Sequence, residues 1–328
     1  MPAAARVTIV GAGTIGVGWA IVFARAGIGV ALHDTDGARL GAARSDLDRR
    51  LQSLSLGGLL EEPPHVVAGR IRSCETLEAA LEGATHVQEN APERLALKRE
   101  LFRRLDGLTE GHVTLASSSS ALTASTFAEE LSGRARCLVA HPANPPYLLP
   151  VVELVPAPFT DPDVLERSRR LFAAAGMSTV VVRREVEGFV LNRLQGALLR
   201  EAYCLVRDGV ASVDDVDRVV RDGVGRRWSV VGPFETAELN TRGGIEAHAL
   251  TMGPAYARMG AERGQHDPWT PELVERVAGE LHRRVPRQAW EEHVARRDDA
   301  LIALERARRA SGLFDNAQAR GLTGPLIP

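Results

Sequence analysis

A short β-branched run, Val7 to Val10, leads straight into Gly11-Ala-Gly13-Thr-Ile-Gly16, and an apolar helix-forming stretch follows to about Gly27. Three glycines at that spacing are a demand on backbone geometry. Gly11 permits a tight turn, Gly13 lets the backbone approach a pyrophosphate, and Gly16 lets the helix pack on the strand, while the helix start offers free amides and a positive dipole to phosphate. Glycines punctuate many turns that bind nothing, so context decides. A second strand, Gly29–His33, ends at Asp34, 23 residues after Gly11, where a carboxylate accepts from ribose hydroxyls. The same carboxylate repels a 2′-phosphate, and Thr35 is not the arginine that would neutralise one. The expected dinucleotide is therefore NAD, held by Gly11, Gly13, Gly16 and Asp34.

The first half of the chain alternates β-branched runs with amphipathic stretches, the pattern of parallel strands joined by helices. The clearest further strands are Val113–Ala116, Cys137–Ala140, Val151–Val155 and Thr179–Val182. From Gly188 onward only helical spacing and caps such as Ser212 and Asp214 appear. A chain of 328 residues exceeds what one core usually holds, so the expectation is α/β. A Rossmann-type N-terminal domain with a mostly parallel sheet (residues 1–185) is followed by an all-α C-terminal domain (186–328).

Composition removes several function classes. A net charge of -2, with acids and bases interspersed, argues against a nucleic-acid partner, and the arginine-rich stretches near the C-terminus carry enough Glu and Asp to read as solvated helix faces. The three cysteines lie far apart, and no cluster of His, Cys or carboxylates has ligand spacing, so neither a disulfide framework nor a metal is expected. No apolar run is long enough for a membrane helix, and no basic, apolar leader precedes Arg6; the expected location is the cytoplasm.

The chemistry centres on His141. Strand Cys137–Ala140 delivers it into His-Pro-Ala-Asn-Pro-Pro, at the strand edge where open α/β sheets bind ligands. The run Ser117–Ser120 follows another strand and reaches the same edge. Twelve residues after His141, Glu153 interrupts the apolar strand Val-Val-Glu-Leu-Val; a carboxylate buried there costs several kcal/mol (roughly 3–5) unless paired, and His141 is the natural partner. An imidazole suits the base role in oxidising a secondary alcohol, because the hydroxyl proton leaves as hydride departs.

These passages, with Leu-Pro-Val-Val-Glu-Leu-Val-Pro around Glu153 and Glu-Gly-Phe-Val-Leu-Asn-Arg-Leu-Gln around Asn192, resemble the 3-hydroxyacyl-CoA dehydrogenase superfamily over nearly the whole chain. The resemblance implies an active site of Ser120, His141, Glu153 and Asn192, with Ser120 and Asn192 bonding the reacting oxygen. It also implies Thr14, Ile15, Asp34, Glu93 and Lys98 around NAD, and a homodimer formed through the helical domain. Ser118 and Ser119 reach the same edge as Ser120.

Within that superfamily the chain leans to free acids. The segment from Gly37 to Arg72 is shorter than the CoA-holding hairpin of the acyl-CoA enzymes and has no lysine, and Gly225-Arg-Arg-Trp-Ser-Val-Val-Gly-Pro-Phe234 resembles the enzymes of L-gulonate and carnitine. Arg227 is the expected partner of a substrate carboxylate, and an L-gulonate-like 3-hydroxy acid the expected substrate. The alternatives are a 3-hydroxyacyl-CoA thioester, or carnitine, whose quaternary ammonium wants aromatic faces such as Tyr147 and Trp228.

Overall fold

The computed structural model describes residues 5–265, 270–283 and 285–293, with isolated positions from 296 to 310. Most of the arginine-rich C-terminal stretch lies outside them. The described chain divides into two compact units, 1–201 and 202–328.

The first unit is an eight-stranded sheet: β1 (Arg6–Val10), β2 (Gly29–His33), β3 (Ile71–Cys74), β4 (His86–Glu89), β5 (Thr114–Ser117), β6 (Cys137–Pro142), β7 (Val151–Pro156) and β8 (Ser178–Val181). Their order is β3-β2-β1-β4-β5-β6-β7-β8. All neighbours pair parallel except β6 and β7. Seven helices connect or flank the strands: α1 (Thr14–Arg25), α2 (Gly37–Leu56), α3 (Pro64–Gly69), α4 (Leu77–Leu81), α5 (Leu95–Leu108), α6 (Ala124–Ala128) and α7 (Pro162–Ala174). The order reverses between β1 and β4, and ligands of open α/β sheets bind in the crevice that such a reversal opens.

Two apolar layers sandwich the sheet. Val7 and Ile9 of β1 join Trp19, Phe23 and Phe172 in one cluster, whereas Val10 joins Val87, Phe102 and Phe127 in another. Helix α1 is nearly all buried, from Gly16 to Ala24, which explains why its sequence is apolar all round. Two strands did not stand out in the sequence. β3 is half polar, and β4 is wholly buried although it reads His-Val-Gln-Glu.

Helix α8 (Leu191–Arg207) begins in the first unit and crosses the division. Its opening turn is held there because Glu153 accepts from the amides of Val190 and Leu191, and Asn192 bonds the backbone of Ser120. The second unit continues with α9 (Val213–Val219), α10 (Gly225–Trp228), α11 (Pro233–Asn240), α12 (Gly244–Glu262) and α13 (Pro271–Leu281). It has a small core of its own, around Val231, Leu239, Ile245, Leu281 and Val285. No strand occurs among its described residues, and no described helix is long and apolar enough to cross a membrane.

Candidate active site

The glycine loop meets the demands its spacing makes. Gly11 has φ +100°, and a Cβ there would meet the Asn90 carbonyl at 2.8 Å. A Cβ on Gly16 would lie 1.9 Å from the Gly11 carbonyl oxygen, so only glycine fits. Gly13, by contrast, has nothing within 4 Å of that position and caps the N-terminus of α1, where Thr14 and Ile15 open the helix. Space over Gly13 together with crowding at its neighbours is what a pyrophosphate site requires.

Asp34 is buried at the end of β2. Its Oδ2 accepts from the Ala12 amide at 2.9 Å and its Oδ1 from the Asp36 amide at 3.0 Å, so the carboxylate holds the glycine loop while each oxygen keeps a lone pair for another donor. A cavity of about 560 Å³ opens beside it, with Gly11, Gly13, Asp34, Asn90 and Ala91 in its wall. These residues fit a dinucleotide.

Glu93 and Lys98 are both engaged with protein. Glu93 accepts from the Ser119 hydroxyl, from the Ala121 amide at 2.7 Å and from the Leu122 amide at 3.2 Å. Burial would raise its pKa, but those donors and the nearby Lys98 charge hold the carboxyl below the usual range. Lys98 is 1% exposed; its ammonium donates to both oxygens of Glu89 (2.9 and 2.8 Å), to the Ala91 carbonyl and to the Ser117 hydroxyl.

β6 and β7 form an antiparallel pair whose register sets His141 directly opposite Glu153. His141 Nδ1 lies 2.8 Å from Glu153 Oε2, and both side chains are at least 95% buried. The other carboxylate oxygen, Oε1, accepts from the Val190 and Leu191 amides at 2.8 and 2.9 Å. Burial pushes the Glu153 pKa up, yet the bonds from His141, Leu191 and Val190 outweigh it and hold the group ionised below the usual carboxylate range. An ionised acceptor keeps the ring proton on Nδ1 and leaves the Nε2 lone pair to act as a base.

One member of this constellation was not singled out from sequence. Phe189 packs its ring 5.4 Å from that of His141 and adopts φ 49°, unusual for a bulky residue. Such a conformation costs about 1–3 kcal/mol and survives only where surrounding contacts over-determine it. Here the following two amides are tied to Glu153, and the ring is fully buried. The preceding Gly188, also at positive φ, was the only sequence signal for the turn.

Asn192 and Ser120 are brought together, but through the backbone: Asn192 Nδ2 donates to the Ser120 carbonyl at 3.2 Å. The Ser120 side chain is exposed. Arg227 is exposed on α10, in the second unit. Also in that unit, Glu238, Glu246 and His282 gather ligand-type atoms within 4.8 Å, a grouping invisible in the sequence spacing. Glu238 accepts from the Ile245 amide at 2.8 Å and Glu246 Oε1 pairs with Arg287, whereas Glu246 Oε2 and His282 Nε2 are buried without a hydrogen-bond partner among the described residues.

Residues 6–186 match the model for the NAD binding domain of 3-hydroxyacyl-CoA dehydrogenase, and residues 188–291 match its C-terminal domain. The chain belongs to the 3-hydroxyacyl-CoA dehydrogenase family. It is an NAD-dependent oxidoreductase. Lambda-crystallin of Oryctolagus cuniculus is 38% identical over 94% of this chain and 98% of its own length. An L-carnitine dehydrogenase of Streptomyces griseus is 36% identical over 92% of this chain and 89% of its own. Among solved structures, an NAD-dependent 5-formyl-3-hydroxy-2-methylpyridine 4-carboxylic acid 5-dehydrogenase superposes with a TM-score of 0.70 and 28% identity, covering 87% of this chain and 98% of that one.

Proposed function

We propose that this member of the family oxidises the 3-hydroxyl of a small free 3-hydroxy acid, of the L-gulonate kind, to the 3-keto acid. The observation that carries the chemistry is the buried His141–Glu153 pair at the ligand-binding edge of the sheet. Bound NAD supplies the hydride acceptor. The substrate O–H bond breaks toward His141 Nε2 while C3 loses hydride and its bond to oxygen becomes a carbonyl. Glu153 stabilises the imidazolium so formed, and Ser120 and Asn192 donate to the reacting oxygen. Gly11, Gly13, Thr14, Ile15, Gly16 and Asp34 act on the cofactor side, and Glu93 and Lys98, both bonded to protein, brace the segments around it.

The free-acid reading is supported by relatives whose names specify carnitine and a pyridine carboxylic acid, both carboxylates. Arg227 is proposed as the carboxylate partner, a charge-assisted contact worth about 1.5–3 kcal/mol. The test is NADH formation with L-gulonate, carnitine and 3-hydroxybutyryl-CoA at equal concentration, in the native chain and in Arg227→Met. L-Gulonate or a related free acid is expected to be turned over best, with KM raised about tenfold or more by R227M. Preference for the thioester, or an unchanged KM in R227M, would overturn the substrate assignment.

The proposal includes a cytoplasmic homodimer. Cys74, Cys137 and Cys204 are free thiols, as a reducing compartment keeps them. Helix α8 has no buried residue and exposes Leu194, Leu198, Leu199 and Tyr203, an apolar face of the kind that isologous contacts cover. Light scattering at micromolar concentration is expected to give twice the chain mass; a monomer there would refute the dimer.

A further inference from the structure

The four consecutive serines from the end of β5 onward, Ser117 to Ser120, divide their labour. Ser117 donates to Glu89, Ser119 bonds Glu93, and Ser120 offers its carbonyl to Asn192. Ser118 belongs to a separate network whose hydrogen directions are all determined.

The Ala140 carbonyl, 3.3 Å from Gln88 Nε2, can only accept, so the Gln88 amide nitrogen must face it and its oxygen must face His86. Burial pushes the His86 imidazole down to about 4, which keeps the ring neutral, and its Nε2 therefore donates to Gln88 Oε1 at 3.1 Å. The second Gln88 amide proton goes to Ser118 Oγ at 2.7 Å. The Trp19 indole, a donor only, also points at Ser118 Oγ, at 2.9 Å. With both lone pairs taken, the Ser118 hydroxyl donates to Asn90 Oδ1 at 2.7 Å. Asn90 in turn donates from Nδ2 to the Gln88 carbonyl at 2.8 Å.

The two ends of this network matter for the chemistry. Asn90 is the wall of the glycine loop: its amide bonds the Val10 carbonyl at 2.7 Å, and its own carbonyl occupies the space that a Cβ on Gly11 would need. Ala140 immediately precedes His141. We propose that Ser118 is a positioning residue for hydride transfer, the joint through which α1, the wall of the cofactor loop and the strand carrying His141 are held in one register. This rests on His141 being the base. Hydride and proton must leave neighbouring atoms together, and a displacement of about 1 Å between the groups that receive them costs on the order of 10²-fold.

The experiment uses the full chain with NAD and a hydroxy acid that the native protein turns over, in unlabelled form and deuterated at C3. Ser118→Ala is expected to lower kcat by about 10- to 100-fold with both KM values within about threefold of native, because the loss falls on the transition state. The primary isotope effect on kcat should rise as hydride transfer becomes the slow step. Ser118→Thr, which keeps the hydroxyl, should recover most of the rate. A purely structural serine would lower the melting temperature and leave the isotope effect alone, and that result overturns the proposal. A loss expressed mainly as a raised KM for NAD overturns it as well and makes Ser118 a cofactor contact. If S118A does not fold, Asn90→Ala, which removes the acceptor of the Ser118 proton together with the Asn90 Nδ2 bond to the Gln88 carbonyl, must lower kcat and raise the isotope effect with KM for NAD within about threefold of native, or the proposal fails. Full activity in His141→Ala would mean that the base assignment has failed; native behaviour of S118A beside an inactive H141A means that only the positioning role has.

Discussion

Replacing His141 with alanine should lower kcat by about 10²- to 10⁴-fold, the range that loss of a general base produces, while NAD binding followed by fluorescence stays close to native. The barrier rises because the atom that takes the proton is gone: Glu153 meets the ring at Nδ1, on the side away from Nε2, so the carboxylate oxygen freed by removal of the ring lies behind the vacated position while the other stays tied to two backbone amides. Glu153→Gln sharpens the test. A carboxylate accepts on both oxygens, whereas an amide must turn its NH2 toward either the His141 Nδ1 proton or the Val190 and Leu191 amides, setting donor against donor. E153Q is therefore expected to lose kcat as well, and to loosen the Phe189 turn. Native turnover in H141A would remove the general base, and native turnover in E153Q would reduce Glu153 to a packing residue.

The pair was legible in the sequence because an antiparallel hairpin converts separation along the chain into contact across it: the sequence puts one acid inside an apolar strand, and the register delivers it to the histidine. The glycine loop was legible for a related reason, since each glycine answers a local steric demand. What sequence could not show is burial that depends on several distant partners at once. β4 reads as too polar for a central strand, yet His86, Gln88 and Glu89 are all buried because their partners arrive from elsewhere: the Phe23 ring of α1 against His86, Lys98 of α5 and Ser117 of β5 on Glu89, and the Ala140 carbonyl of β6 on Gln88. Phe189 escaped notice because positive φ in a bulky residue is imposed by tertiary contacts rather than by local preference. The family models divide the chain at 186/188 and the sequence pattern at 185/186, while the compact units divide at 201/202, inside α8, because the first turn of that helix is tied down by Glu153 and Ser120.

The largest effect on stability is expected at Lys98, the sole lysine of the chain. Its ammonium and the Glu89 carboxylate are at most 1% exposed and meet at 2.8 Å, so neither has water to fall back on. Lys98→Met keeps the stem and deletes the charge, leaving Glu89 with only the Ser117 hydroxyl and the Ala91 amide. Breaking one side of such a pair costs about 3–5 kcal/mol, a large share of the roughly 5–15 kcal/mol that holds a typical domain together. Urea unfolding should show that loss as a lower midpoint. Glu89→Gln combined with K98M should restore part of it, because the desolvation penalty of the orphaned carboxylate disappears with its charge. A lysine whose main duty was to touch the cofactor would behave otherwise: K98M would raise KM for NAD at unchanged stability, and the second substitution would rescue nothing. A K98M midpoint equal to the native one would thus refute the buried counter-ion role, whereas additive losses in the double variant would show that Lys98 and Glu89 stabilise the sheet independently of one another.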